Sequence, residues 1–151
     1  MKRFIFDSCF WFALFDEKDQ YHNLATKMAK DFDSPAIKIL VPFPSMYETL
    51  NTEFVNDKRQ LNRLHEILAN HDKVQFIFDD KYKENAYANT LSQKKSSKIS
   101  LVDYIILEML SDKNLSIDGV VTFNTRDFSE PCRSLSKELV CYAQASGLRR
   151  Q

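Results

Sequence analysis

Phe4-Ile5-Phe6 runs straight into Asp7, and the stretch from Ser8 to Phe15 behind it is almost wholly apolar. A short apolar run bounded by polar residues fits a strand buried on both faces, the environment found at the centre of a parallel sheet. A strand from Arg3 to Asp7 delivers the Asp7 carboxylate at its carboxyl end. In open α/β sheets ligands bind outside that end, so the aspartate stands where chemistry is expected. A carboxylate flanked by Phe6 and Cys9 is costly to bury without a partner, which argues against a plain strand terminator.

The rest of the chain alternates strand and helix signals. Cys9 to Phe15 fits a short buried helix, and Asp19 to Phe32 an amphipathic one with Tyr21, Leu24, Ala25, Met28 and Phe32 on one side. Ile37 to Val41 fits a strand stopped by Pro42. Pro44-Ser45 opens a third helix that turns Met46, Tyr47, Leu50, Phe54 and Val55 inward. Arg59 to Ala69 makes a fourth helix, Val74 to Phe78 a third strand and Asp80 to Leu91 a fifth helix. Ser92 to Ser100, rich in lysine and serine, is expected to be an exposed loop before an apolar helix over Leu101 to Leu110. Gly119 to Phe123 and Leu139 to Tyr142 supply the last strands, and Arg149-Arg150-Gln151 is expected to fray. Strands separated by helices imply right-handed crossovers, hence an α/β fold of three layers, α/β/α, around a parallel sheet of about five strands.

At 151 residues the chain suits one domain spanning 1–151. Only Gly119 and Gly147 are present, which excludes a P-loop or a dinucleotide fingerprint, since each needs several glycines for close backbone approach to phosphate. Lys plus Arg and Asp plus Glu both number 21, so attraction to a polyanion must come from local patches. Cys9, Cys132 and Cys141 form no C-x-x-C pair and are expected as free thiols in a reducing compartment, Cys9 and Cys141 buried. Asp7 and Asp16 interrupt the apolar N-terminal run, so neither a secretory leader nor a membrane span is expected, and a cytoplasmic protein is.

Acidic and amide residues fall repeatedly at strand ends or helix starts: Asp7, Glu48 within Ser45-Met46-Tyr47-Glu48, Asp103 within Ser100-Leu101-Val102-Asp103, and Asn124 with Asp127 after the fourth strand. Each has a structural explanation. Glu48 suits a helix first turn, Ser100-x-x-Asp103 matches a capping box, and Asn124 and Asp127 are turn formers. Their coincidence at one edge of a parallel sheet is what favours a site. Clustered acids repel one another unless a hard cation intervenes, and oxygen-only donors suit Mg²⁺ or Mn²⁺. His22, His65 and His71 show no ligand spacing for zinc.

Phe6-Asp7-Ser8, Asp19-x-x-His22, Glu48-x-x-Asn51, Ser100-x-x-Asp103 and Thr122-x-Asn124-x-x-Asp127-Phe128 occur in an order that resembles the PIN domain family, in particular its VapC-type toxin ribonucleases. The resemblance implies that Asp7, Glu48 and Asp103 bind metal, with Asn124 where the family usually carries aspartate and Asp127 assisting. It also implies that Ser8, Ser100 and Thr122 support these carboxylates. The implied reaction is endoribonucleolytic hydrolysis of RNA, possible substrates being tRNA or mRNA, by metal-activated water, leaving a 5′-phosphate and a 3′-hydroxyl. Implied partners are an antitoxin protein and a second copy in a homodimer. Lys94, Lys95, Lys98 and Arg126 are candidate RNA contacts, with Lys58-Arg59 and Arg149-Arg150 further ones; Tyr82, Tyr87 and Phe128 are candidates for base stacking or for core.

Two other classes compete. A haloacid-dehalogenase phosphatase needs a second aspartate two residues after the first, where this chain has Cys9, and a response-regulator receiver needs a lysine that the last strand lacks. A PIN-like scaffold that binds without cutting is the non-enzymatic alternative, suggested by Asn124.

Overall fold

The structure, a computed structural model, describes residues 1–141. Five parallel strands, β1 (Lys2–Phe6), β2 (Ile37–Pro42), β3 (Val74–Ile77), β4 (Gly119–Val121) and β5 (Glu138–Val140), lie in the order β3-β2-β1-β4-β5. Eight helices connect them: α1 (Ser8–Phe15), α2 (His22–Phe32), α3 (Phe43–Thr49), α4 (Thr52–Asn56), α5 (Lys58–Leu68), α6 (Lys83–Ser92), α7 (Leu101–Ser111) and α8 (Thr125–Ser134).

Alternation along the central strands divides the interior into two cores. Phe4, Phe6, Ile39, Val41 and Val121 face one side, where Phe10, Trp11, Phe32, Phe54 and Leu64 of α1, α2, α4 and α5 cover them. Ile5, Leu40 and Val120 face the other, beneath Ile106 and Met109 of α7 and Phe128 and Cys132 of α8. The layers are therefore α/β/α, and β1 is buried on both faces because helices cover both. The abundant phenylalanines interlock in the first core: Phe6 meets Phe10 and Phe32 edge-on, each with ring centroids 4.9 Å apart.

Several boundaries differ from the pattern expected of the sequence. Asp7 lies just outside β1 and caps α1, accepting the Ser8 N–H at 2.7 Å. Asp19 stays outside α2 and holds the preceding turn by accepting the Tyr21 N–H at 2.7 Å. The expected third helix is two, because the Asn51 side chain accepts the Phe54 N–H at 3.0 Å and starts α4 afresh. Tyr47 and Leu50 point outward, 74% and 40% exposed, rather than into the core. Helix α6 begins at Lys83 rather than Asp80, and α8, with Pro131 inside it, has no counterpart in the expected pattern. Tyr82 and Phe128 are core residues, whereas Tyr87 is exposed. Among the three thiols Cys132 is the buried one, and Cys9 and Cys141 are half-buried. Tyr142, Gly147 and Arg149-Arg150 lie outside the described residues.

Gly119 answers to close packing. A Cβ there would lie 2.1 Å from the Glu138 carbonyl oxygen of the neighbouring strand, and backbone cannot swing aside as a side-chain end can. Gly119→Ala is expected to cost about 2 kcal/mol through displacement of β5 from β4, read as a lowered denaturant midpoint; an unchanged midpoint would show that the two strands tolerate separation.

Candidate active site

The register of the two central strands sets the site. Phe6 pairs with Val121, so Asp7 and Thr122 leave the sheet side by side, and the Asp7 N–H donates to the Val121 carbonyl at 3.1 Å. The chain runs from β1 through β2 to β3 on one side and from β4 to β5 on the other, which makes the β1–β4 gap the switch point of the topology. Ligands in such sheets bind in that crevice, outside the carboxyl ends.

Asp7 is 4% exposed, yet its carboxylate is fully engaged. Oδ1 accepts the Ser8 N–H, and Oδ2 accepts the Thr122 hydroxyl at 2.8 Å and the Cys9 thiol at 3.2 Å. These donors offset the cost of burying the charge. Thr122, itself fully buried, also accepts the Asn124 N–H at 3.0 Å and so sets the turn into α8.

Glu48 comes from the last turn of α3, and its Oε2 accepts the Ser8 hydroxyl at 2.6 Å. One serine thus ties the segment after β1 to the segment after β2. Burial, together with the charge of Asp7, raises the Glu48 carboxyl above its ordinary range. Asp103 sits in the first turn of α7, where the Ser100 hydroxyl caps the helix by accepting the Asp103 N–H at 3.1 Å. Burial lifts its carboxyl to about 6, and the charges of Asp7, Asp127 and Glu48 push the same way. Ser100 is thus the cap, and the Asp103 carboxylate belongs to the acidic cluster.

Asn124 and Asp127 belong to a second network. The Asn124 amide donates to Asp127 Oδ2 at 2.8 Å and, more weakly, to Asp103 Oδ2 at 3.4 Å. Arg126 donates from Nε and Nη2 to the two oxygens of Asp127 at 2.8 and 3.1 Å, which holds that carboxyl below its usual range. Arg126 therefore already has an anionic partner. Its Nη2 also reaches the Lys98 carbonyl at 3.4 Å, which tethers the loop carrying Lys94, Lys95 and Lys98 beside the acids, with all three lysines exposed. Lys58 and Arg59 are exposed at the start of α5. His22 points elsewhere, its Nδ1 lying 2.8 Å from the Ala13 carbonyl.

Cys9 is the contact that sequence reasoning missed, although its position two residues after Asp7 was a signal. Its sulfur accepts the Phe123 N–H at 3.2 Å and lies 3.3 Å from the Thr122 hydroxyl. Burial and the charge of Asp7 push its thiol up to about 12, so it stays protonated.

Among the described residues, no three His, Cys, Asp or Glu side chains form a ready metal cage. The carboxylates stand as neighbours, each held by its own donor. The donor chemistry nevertheless fits a hard divalent cation: the available ligand atoms are oxygens, the one sulfur is protonated, and a cation would offset the burial and the repulsion that together raise Glu48 and Asp103. A cleft of about 580 Å³ lies elsewhere, between α2 and α5 over Phe6 and Ile39, and includes none of these acids. Concavity and clustered charge disagree here, and the acids are the candidate because titratable groups that perturb one another concentrate at functional sites. No helix among the described residues is long and apolar enough to cross a membrane.

No protein-family model matches the chain, and no curated protein does. Among solved structures, VapC20 of Mycobacterium tuberculosis, described as a toxin that cleaves the sarcin–ricin loop, superposes with a TM-score of 0.64 at 16% identity, covering 84% of this chain and 94% of that one. In fold, then, the chain is a PIN-like α/β/α protein similar to that toxin.

Proposed function

We propose that the chain is a divalent-metal-dependent endoribonuclease, acting in the cytoplasm as the toxin of a toxin–antitoxin pair and working as a homodimer. One observation carries the catalytic part: an Asp103 carboxyl that burial, and then the charges of Asp7, Asp127 and Glu48, lift to about 6 at the switch point of a parallel sheet. Likeness in fold to VapC20 supports the choice of RNA as substrate.

In this reading Asp7 and Asp103 hold one Mg²⁺ or Mn²⁺, and Glu48 and Asn124 face the position of a second. Such an ion lowers the pKa of water and polarises a phosphoryl oxygen. Thr122 and Ser8 keep the Asp7 and Glu48 oxygens aimed into the crevice through their hydrogen bonds. Glu48, half-buried and raised, is suited to take up a proton as the water attacks. Lys98 and its loop, with Lys94 and Lys95, bring positive charge to the flank where the strand's phosphates would lie.

The purified chain incubated with an RNA pool is expected to yield fragments ending in 5′-phosphate with Mn²⁺ and none with chelator. Absence of cleavage in Mn²⁺ would favour the scaffold reading, which the Arg126–Asp127–Asn124 network supports by engaging the acid nearest the fourth ligand position. Growth arrest on expression, relieved by a protein encoded beside it, tests the toxin role.

Asn124→Asp exchanges a donor between Asp103 and Asp127 for a third repelling charge. The metal-free variant is expected to be less stable and to bind Mn²⁺ about tenfold more tightly, on the scale by which residues around metal ligands tune affinity. Titration calorimetry with an unchanged affinity would remove Asn124 from the ligand set.

A further inference from the structure

At the far end of the same sheet edge the chain holds aromatic rings in water. Pro42 pairs with Ile77, so Phe43 and Phe78 leave the sheet abreast, and their rings stack with centroids 5.1 Å apart and planes 28° apart. Tyr47, one helical turn along α3, meets Phe43 edge-on at 5.6 Å. Phe43 is half-buried, and it fixes two rings that stay open: Phe78 is 59% exposed and Tyr47 74%. Neither contributes to the cores that hold the fold. Large apolar surface kept exposed and in register marks a contact surface rather than a packing remnant.

Its place in the fold indicates the occupant. Tyr47 immediately precedes Glu48, and Phe78 emerges two strands from Asp7, roughly 10 Å at ordinary strand spacing. Past Phe78 the charges pair off, Lys83 with Asp80 and Lys81 with Asp112, leaving little to draw a phosphate to this side, whereas an uncharged ring face accepts a base. Lys94, Lys95 and Lys98 lie on the opposite flank, in the loop that Arg126 tethers. We propose that Tyr47 and Phe78, braced by Phe43, form a stacking platform for an unpaired base next to the phosphodiester that lies over Asp7, Glu48 and Asp103. The inference rests on the ribonuclease reading, and the platform needs a base free of pairing, because a base inside a duplex offers no free face.

The test reads binding separately from cutting. Single-stranded oligoribonucleotides carrying 2-aminopurine at successive positions are titrated into the Asp7→Asn protein with Mn²⁺. Quenching is expected at one or two positions, and adding Tyr47→Ala with Phe78→Ala is expected to remove it and weaken binding about tenfold or more. Tyr47→Phe should restore both, and Tyr87→Ala, exposed on α6, should change neither. In the protein with Asp7 intact, the two ring deletions should raise KM on single-stranded RNA and leave kcat at saturation unchanged. Ring-independent quenching and KM would overturn the platform. So would sedimentation showing that the deletions turn a dimer into a monomer, since the rings would then serve a second copy of the chain. Cleavage by the intact protein with ring-independent KM defeats the platform alone; ring-dependent binding without cleavage in any metal defeats the hydrolysis reading alone.

Discussion

Asp7→Asn is expected to cut RNA at least about a thousandfold more slowly in saturating Mn²⁺, because metal-assisted stabilisation of a phosphoryl transition state is worth several kcal/mol. Stability should move little. The asparagine Oδ1 can still accept the Ser8 N–H that starts α1, and the Thr122 hydroxyl can turn from donor to acceptor toward the new amide. Removing the charge also removes a cause of the raised Glu48 and Asp103 carboxyls, so the metal-free variant should melt at the same temperature or higher. A cap and a metal-binding carboxylate are thus separable at one residue: asparagine keeps the first and loses the second, at the cost of the acceptor that the Thr122 hydroxyl and Cys9 thiol share. Single-turnover cleavage and thermal melting of the same preparation read the outcome. Full activity would take Asp7 out of the reaction, and an unfolded variant would make it a structural residue first.

The sheet was legible because its strands are short apolar runs buried on both faces, and Phe4-Ile5-Phe6 has no plausible environment other than a covered parallel sheet. The helices were legible where apolar spacing is strong, as in α5 and α7, and lost where local hydrogen bonds decide. Asn51 splits α3 from α4 through one side-chain acceptor, which sequence periodicity does not register, and Tyr47 turns outward within α3 itself. Helix α8 escaped notice because Pro131 and its polar residues hide a stripe of only Phe128 and Cys132. Glu48, expected in a first turn, comes instead from the last turn of the short α3. The approach of Asp7 and Asp103 could be anticipated from a strand end and a helix start, since a parallel sheet puts such ends along one edge. What each carboxylate touches could not. The Ser8–Glu48 bond, the Cys9 thiol on Asp7 and the capture of Asp127 by Arg126 depend on rotamers and on a loop that runs past Lys98.

Asp103 gives the acidic cluster a thermodynamic signature that needs no substrate. Its carboxyl ordinarily titrates at 3.8 and in the fold at about 6. Between those values the native state holds a proton that the unfolded chain has released, so stability is full below about pH 4 and is lost as pH rises towards 6. Full conversion of the shift would give about 3 kcal/mol. Asp103 is half-buried and water screens part of the interaction, so about 1 kcal/mol is expected, or roughly 2–4 °C in melting temperature. Glu48, raised for the same reasons, adds to the same slope. Asp127, held low by Arg126, has the opposite sign, but its contribution is lost only as pH falls below about 4, outside this window. Melting in chelator between pH 4 and 7 should therefore fall with rising pH. Mn²⁺, which binds ionised carboxylates, should reverse the fall, by about 2.7 kcal/mol at a hundredfold excess over its Kd at pH 7 and by little at pH 4.5. Asp103→Asn should flatten the slope and remove most of the Mn²⁺-dependent rise. Retention of both in that variant would mean that the crowding of carboxylates, and with it the metal, lies with other acids than the one at the start of α7.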